Sequence, residues 1–288
     1  MASLTQFQPP ESDTLEHSLE SLELYQIYKK TKYLSIKHES YFYTYTELFE
    51  KYRGKDIVFV EIGILNGGSL FMWRDFFGKG ARIIGIDLNP EALKWKQDGF
   101  EIYIGNQDDP EFWDVFFKEI GCADILLDDG GHTNRQQIIT TASCIEYIND
   151  GGMLVVEDTH ASYMKKFGNP SKYSFINFAK HLVDSINSRS TRINRAKNDY
   201  WKHVHNIVFY ESIVAFKIDR KNCFISNPTK NDGESFNAKD YRFRTGAKEY
   251  IFRKLSGQRI GSRIPVIRQI RDLFLWLIIN RDTSKYFK

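Results

Sequence analysis

The feature that most constrains this chain is the stretch from Ala123 to Thr159, where two apolar runs each end abruptly in adjacent carboxylates. The first reads Ala-Asp-Ile-Leu-Leu-Asp-Asp-Gly-Gly-His over 123–132, and the second reads Gly-Gly-Met-Leu-Val-Val-Glu-Asp-Thr over 151–159. Each run has the length and apolar continuity of a strand buried on both faces of a parallel sheet. Carboxylates gathered at the ends of two such strands disfavour one another's charge unless a cation or a partner stands between them. The rest of the chain must therefore supply a scaffold that brings these ends together and a reason for the acids to be there.

The scaffold is legible as an alternation. Ile57 to Gly63 is β-branched and aromatic, ends at a glycine-bearing loop, and is followed by a helical pattern over Ser69 to Phe77. The pattern repeats as strand Arg82 to Asp87, helix Pro90 to Gln97, strand Phe100 to Gly105 and helix Pro110 to Ile120. It continues with strand Asp124 to Asp128, helix Asn134 to Ile148, strand Met153 to Glu157 and a helix around Tyr173 to Ser188. Strands alternating with helices predict a doubly wound α/β parallel sheet covered on both faces. Asn206 to Ile218 has no room for a helix and reads as two strands about Glu211-Ser212, a terminal antiparallel hairpin that brings the sheet to seven strands. Before the sheet, Tyr, Leu and Phe recur at helical spacing from Leu22 to Tyr33 and from Tyr43 to Arg53, a helical preface expected to close over one end of the core.

Charge divides the chain unevenly. Lys and Arg number 40 against 37 for Asp and Glu, a balance that argues for no nucleic-acid partner, yet residues 220–288 hold 16 basic and 6 acidic side chains. The expected organisation is a preface over 1–53, a catalytic domain over 54–219 and a basic extension over 220–288. In that extension, Val266 to Asn280 reads as an apolar helix that packs on another subunit or on the core, a homo-oligomer being expected, in preference to lying on a membrane surface. Cys122, Cys144 and Cys223 are far apart and form no Cys-x-x-Cys pair, so neither a disulfide framework nor a zinc site is indicated and a cytoplasmic setting is expected. The first residues lack the basic and then apolar order of a signal peptide. No run reaches the roughly 18 apolar residues of a membrane span.

In a doubly wound sheet, ligands sit outside the carboxyl ends of the strands, where the winding reverses. The loop Glu61-Ile-Gly63-Ile-Leu-Asn-Gly67-Gly68-Ser69 allows backbone to approach a ligand closely and leads into a helix N-terminus, but it is not Gly-x-Gly-x-x-Gly. Asp87 is placed to accept from a ribose diol, which NAD and other adenosine ligands share. Gly105-Asn106-Gln107-Asp108 offers polar groups for an adenine edge, while Asp108 or Asp109 could equally cap the helix at Pro110. Asp129, Glu157 and Asp158, oxygen donors without Cys, suit a hard cation: Mg²⁺, with Mn²⁺ or Ca²⁺ as substitutes. They leave coordination positions for a vicinal diol. His132 is close enough in sequence to take the proton of a metal-bound hydroxyl. The competing reading makes these acids helix caps and His132 a loop residue. His160 is a weaker candidate base, and His203 and His205 read as structural or edge residues.

The succession Glu-x-Gly with Gly-Gly-Ser, Gly-x-Asp, Gly-Asn-Gln-Asp-Asp-Pro, Asp-Asp-Gly-Gly-His and Glu-Asp-Thr resembles the class I S-adenosylmethionine-dependent methyltransferases, which have a Rossmann-like fold. More narrowly it is similar to the metal-dependent sugar O-methyltransferases of the mycinamicin and macrocin type, with cephalosporin hydroxylase-like relatives. The resemblance covers roughly residues 30–219, including Ser162-Tyr163 and Phe209-Tyr210-Glu211-Ser212. It departs at Ser35-Ile36-Lys37, where the family often has Thr-Asp-Lys, and at Gly131, where Ser or Ala is usual.

The resemblance implies that Glu61, Gly63, Gly68, Ser69, Asp87, Gln107 and Asp108 hold S-adenosylmethionine, with Asp128 shaping the cofactor pocket. It further implies that Asp129, Glu157 and Asp158 hold Mg²⁺ and that His132 is the catalytic base. The expected activity is Mg²⁺-dependent O-methylation of a sugar or glycoside in natural-product or surface-polysaccharide biosynthesis. Two other classes compete with it: a nucleotide-sugar oxidoreductase of Rossmann type, and a non-catalytic S-adenosylmethionine-binding or assembly protein using the basic extension.

Overall fold

The computed structural model describes residues 19–167, 171–191, 193 and 198–234, with the isolated positions 236, 266, 269, 270, 273 and 286. The chain divides into two units, Met1–Pro228 and Thr229–Lys288, and the account below concerns the first. The helix expected over Val266 to Asn280 lies almost wholly outside the described residues.

Two helices open the described chain, α1 (Glu23–Lys30) and α2 (Glu39–Phe49). Strand and helix then alternate through β1 (Val58–Ile62), α3 (Gly68–Phe77), β2 (Arg82–Asp87), β3 (Glu101–Ile104), α4 (Pro110–Ile120) and β4 (Ala123–Asp128). They are followed by α5 (Asn134–Cys144), β5 (Ile148–Val156), α6 (Phe175–Asn187) and the antiparallel pair β6 (Val204–Phe209) and β7 (Val214–Ile218). The seven strands run in the order β3-β2-β1-β4-β5-β7-β6, parallel from β3 to β5 and antiparallel thereafter. This is the doubly wound sheet and terminal hairpin that the sequence pattern predicts. The winding reverses between β1 and β4, so the ligand crevice of such a sheet falls at the ends of those two strands.

Helix starts follow the local chemistry. Asp109 caps α4, accepting from the Glu111 amide at 3.0 Å with Pro110 in the first turn, so the capping duty left open between Asp108 and Asp109 falls to Asp109. Thr133 and Gln136 form a reciprocal capping box at the start of α5.

Because side chains alternate along a strand, each strand feeds both faces of the sheet. Phe59, Ile125, Leu127, Met153, Val155 and Ala215 face a layer built from α1, α2 and α3, where Trp73 is fully buried. Val60, Leu126, Leu154, Val156, Val214 and Phe216 face the opposite layer, where Trp113 on α4 and Phe175 on α6 are fully buried. The preface helices lie on the first of these faces, where Leu24, Phe42, Tyr45 and Phe49 join the same cluster as Phe59 and Trp73, and Tyr41 and Tyr45 also reach the acids at the carboxyl edge of the sheet.

Two elements differ from expectation. Residues Pro90–Asp98 form a 3₁₀ helix, which suits the three-residue spacing of its buried Ala92 and Trp95. Strand β5 begins at Ile148, ahead of the turn-like Asn-Asp-Gly-Gly sequence, because Ile148 pairs with Ala123 and the register then shifts before Met153 pairs with Ile125.

Candidate active site

The carboxyl edge of the sheet carries the residues of interest in register. Ile62 pairs with Asp128, and Asp128 pairs with Val156, so the residues that follow these strands leave side by side. The ladder continues one step past each strand: the Gly63 amide donates to the Ile86 carbonyl at 2.8 Å, that of Asp129 to Ile62 at 3.1 Å, and that of Glu157 to Asp128 at 2.9 Å. Asp129 and Glu157 are thereby fixed by backbone before their side chains make any contact.

A cavity of about 440 Å³ opens over this edge. Gly63, Ser69, Asp87 and Gln107, all expected at a cofactor site, line it, as do Asp129, His132 and Asp158. Gly63 has a φ of +82°, and a Cβ there would lie 2.1 Å from the Asp129 carbonyl oxygen, so only glycine lets the first loop pass under the fourth strand's end. Leu34, Ile36, Leu65 and Leu88 form a largely exposed apolar rim around the opening. Apolar walls with a few convergent polar groups are the usual composition of a small-molecule site.

The remaining residues expected at the cofactor stand behind or beside this lining. Glu61 is fully buried and accepts from Ser69 Oγ at 2.7 Å and Trp73 Nε1 at 3.1 Å, and burial pushes its carboxyl up to about 7. Gly68 lies against the preface, where a Cβ would come within 2.4 and 2.5 Å of the Tyr33 and Leu34 carbonyls. Asp108 accepts from Asn106 at 2.8 Å and from Arg135 at 3.3 Å, beside the cavity. Asp128 is buried and accepts through Oδ1 from Gln107 Nε2 at 2.8 Å and the Gly130 amide at 3.1 Å, and burial pushes its carboxyl up to about 6. Its Oδ2 has no hydrogen-bond partner. Asp87 accepts from the amides of Ile64 at 3.1 Å, Leu65 at 3.2 Å and Asn89 at 2.8 Å, so its carboxylate also shapes the loop after β1.

The acids surround a cation, Lys37, for which the sequence suggested no role in the site. The Lys37 ammonium, its side chain 1% exposed, lies 2.6 Å from Asp129 Oδ2, 3.0 Å from Glu157 Oε2 and 3.9 Å from Glu61 Oε1. Burial by itself would lower its pKa, but Asp129, Glu157 and Glu61 outweigh that and hold it charged, above the ordinary lysine range. Even so, burial and then Asp129 push the Glu157 carboxyl well above its usual range. Tyr45 on α2 donates its hydroxyl to Glu157, and Tyr41, one turn earlier, donates to Asp158. No local pattern around Lys37, Tyr41 or Tyr45 marks them as polar partners of acids 92 to 120 residues away.

The donor set fits a hard divalent cation. Asp129, His132 and Asp158 each present a ligand atom within 4.8 Å of the others, whereas Glu157, expected as the third acid of the centre, lies outside this group and is engaged by Lys37 and Tyr45. His132 Nε2 lies 3.3 Å from Asp158 Oδ2, while its Nδ1 has no hydrogen-bond partner. A second group, His38, Asp158 and His160, shares Asp158, with His160 Nδ1 2.8 Å from Ser212 Oγ. His203 accepts from Arg220 Nε at 3.1 Å, and neither it nor His205 lines the cavity.

Comparisons with known proteins bear on the fold and on its relatives. In a solved structure, the MycE methyltransferase of the mycinamycin biosynthetic pathway in complex with Mg and SAH, 53% of that chain superposes on 69% of this one, with a TM-score of 0.61 and 25% identity. The fold is a Rossmann-like methyltransferase fold. Curated relatives of this methyltransferase fold are sugar O-methyltransferases. The mycinamicin VI 2''-O-methyltransferase of Micromonospora griseorubida is 31% identical over 189 residues, which are 58% of this chain and 46% of that protein. The demethylmacrocin O-methyltransferase of Streptomyces fradiae is 29% identical over 190 residues, 59% of this chain and 48% of that protein. The chain thus spans about half the length of the curated relatives it matches. No protein-family model matches it. Among the described residues, no helix is long and apolar enough to cross a membrane.

Proposed function

We propose that this chain moves the methyl group of S-adenosylmethionine to a hydroxyl of a sugar or glycoside, with Mg²⁺ at the carboxylate centre. The observation that carries the reading is the continuity of one cavity from the glycine loop after β1 to Asp129, His132 and Asp158. A methyl donor in the glycine-loop half would place its reacting end toward the acids. Leu34, Ile36, Leu65 and Leu88 offer an apolar seat for a purine, Asp87 a carboxylate for the ribose, and Gln107 and Ser69 polar contacts deeper in.

Asp129 and Asp158 would hold the Mg²⁺, and the similar MycE methyltransferase was solved with Mg and SAH. When bound, the cation supplies positive charge that makes a nearby hydroxyl more acidic. His132 takes the hydroxyl proton. Its Nε2 lies 3.3 Å from Asp158 Oδ2, which orients the ring. The acceptor oxygen forms its bond to the methyl carbon as the carbon–sulfur bond breaks, and a neutral thioether leaves. The protein's contribution is orientation of the two reactants and a prepared proton acceptor.

The test is a transfer assay with label in the methyl group of S-adenosylmethionine, run over glycosides and nucleotide sugars with and without Mg²⁺. Label should appear on a glycoside hydroxyl in the presence of Mg²⁺. S-adenosylhomocysteine binding with no transfer to any acceptor would favour the non-catalytic reading, and thermal stabilisation by NAD(H) alone would favour the oxidoreductase.

A further inference from the structure

Lys37 belongs to a segment that does two things at once. From Tyr33 to His38 the chain crosses from α1 to α2 over the carboxyl edge of the sheet. The Tyr33 and Leu34 carbonyls press on Gly68, where nothing larger than hydrogen fits. The Ser35 carbonyl accepts from Tyr28 Oη at 2.9 Å. Leu34, Ser35 and Ile36 then form one wall of the cofactor cavity, although Leu34 and Ile36 are 61% and 77% exposed and have little apolar packing to hold them. The next residue is Lys37, its side chain buried and its ammonium seated between Asp129 and Glu157. A smaller cavity of about 120 Å³ is lined by Ile36, Lys37, His38 and Tyr41 with Asp129, Glu157 and Asp158.

We propose that Lys37 is a positioning residue: its ion pairs with Asp129 and Glu157 pin the Leu34–Ile36 wall across the cavity, so that the carboxylate centre sets cofactor affinity as well as serving the metal. The physical reason is that the segment's other contacts, Tyr33 against Phe71 and Trp95 and the Ser35 carbonyl under Tyr28 Oη, lie toward its α1 end, and Lys37 is the ionic anchor at its α2 end. An exposed apolar segment of three residues has too little buried area to order itself against backbone entropy. A buried ammonium between two carboxylates cannot leave without stranding charge in a dry site, which makes it a stiff anchor. The wall is therefore held through electrostatics at one end, by a residue that need not touch the cofactor.

This inference rests on the cofactor assignment made above, and the experiment separates the two. The full chain is prepared as wild type, Lys37→Met, Lys37→Arg, Asp129→Asn and the Lys37→Met/Asp129→Asn double variant. S-adenosylhomocysteine affinity is measured by calorimetry without divalent metal, and amide hydrogen exchange is followed across the chain. Lys37→Met should weaken binding about tenfold or more and speed exchange over residues 33–38, with exchange in β1, β4 and β5 unchanged. Lys37→Arg should restore part of both. Asp129→Asn should loosen the same segment, and the double variant should be no worse than Lys37→Met, since both break one interaction. Affinity within twofold of wild type in Lys37→Met, or strictly additive losses in the double variant, would overturn the proposal. If wild type binds no S-adenosylhomocysteine, the cofactor reading fails while exchange over 33–38 still decides the tether: wild-type protection there in Lys37→Met would refute it.

Discussion

His132 and Asp158 meet with their backbones in the same rare conformation. Both are left-handed, with φ of +57° and +52°, and Nε2 of the one lies 3.3 Å from Oδ2 of the other. For residues with a Cβ this region costs on the order of 1 kcal/mol each, and such strain persists where the surroundings fix it. The turn after β4 and the turn after β5 are both bent so that these two side chains face each other in the lining of the cavity.

His132→Ala should abolish methyl transfer while sparing the cofactor. Loss of a general base typically costs about 10² to 10⁴ in rate. Single-turnover transfer should fall by at least that lower factor, with S-adenosylhomocysteine affinity within a few-fold of wild type. Full activity in the variant would remove His132 from the mechanism.

Chelation should stop transfer and Mg²⁺ should restore it. Asp129, His132 and Asp158 converge within reach of one cation, the donor set a divalent ion would use. Initial rates in EDTA, then with excess Mg²⁺, Mn²⁺ or Ca²⁺, provide the measurement. Unchanged rates in chelator would place the acids in a structural role.

Gly63→Ala should cost both stability and binding. The new Cβ would sit 2.1 Å from the Asp129 carbonyl oxygen on a backbone with φ of +82°, so β1 and β4 must separate at their ends. A loss of about 2 kcal/mol or more is expected in urea denaturation, together with loss of S-adenosylhomocysteine binding. Wild-type stability would mean that the strand ends can part without penalty.

Glu61 should leave a signature in the pH dependence of stability. Burial raises its carboxyl from the ordinary value of 4.5 to about 7 in the folded protein. Between those values the folded state holds the proton more tightly than the unfolded state does. This contribution is therefore fully present below pH 4.5 and is lost as pH rises through 7. Glu61→Gln removes the titration, so its stability relative to wild type should improve between pH 5 and 8, by an amount on the order of 3 kcal/mol at most. Parallel stability profiles for the two proteins would show that Glu61 ionises normally.

Much of this molecule could be read before its structure was in hand. The alternation of apolar runs and amphipathic segments determines a parallel sheet, because a strand covered on both faces must be apolar throughout and its crossover must be a helix. The acids at Asp129, Glu157 and Asp158 were visible because they interrupt that apolar pattern, and Gly63, Ser69, Asp87 and Gln107 because they follow strand ends. The sequence by itself thus determined which side chains crowd the carboxyl edge. It could not reveal that Lys37 is the cation among them, or that Tyr41 and Tyr45 donate to Asp158 and Glu157, since these contacts join residues 92 to 120 positions apart. Nor could it separate Glu61 and Asp128, buried behind the cavity, from the residues that line it. Periodicity reports which face of an element is buried, whereas the pairing of a charge depends on which elements the chain packs together, and only the tertiary structure decides that.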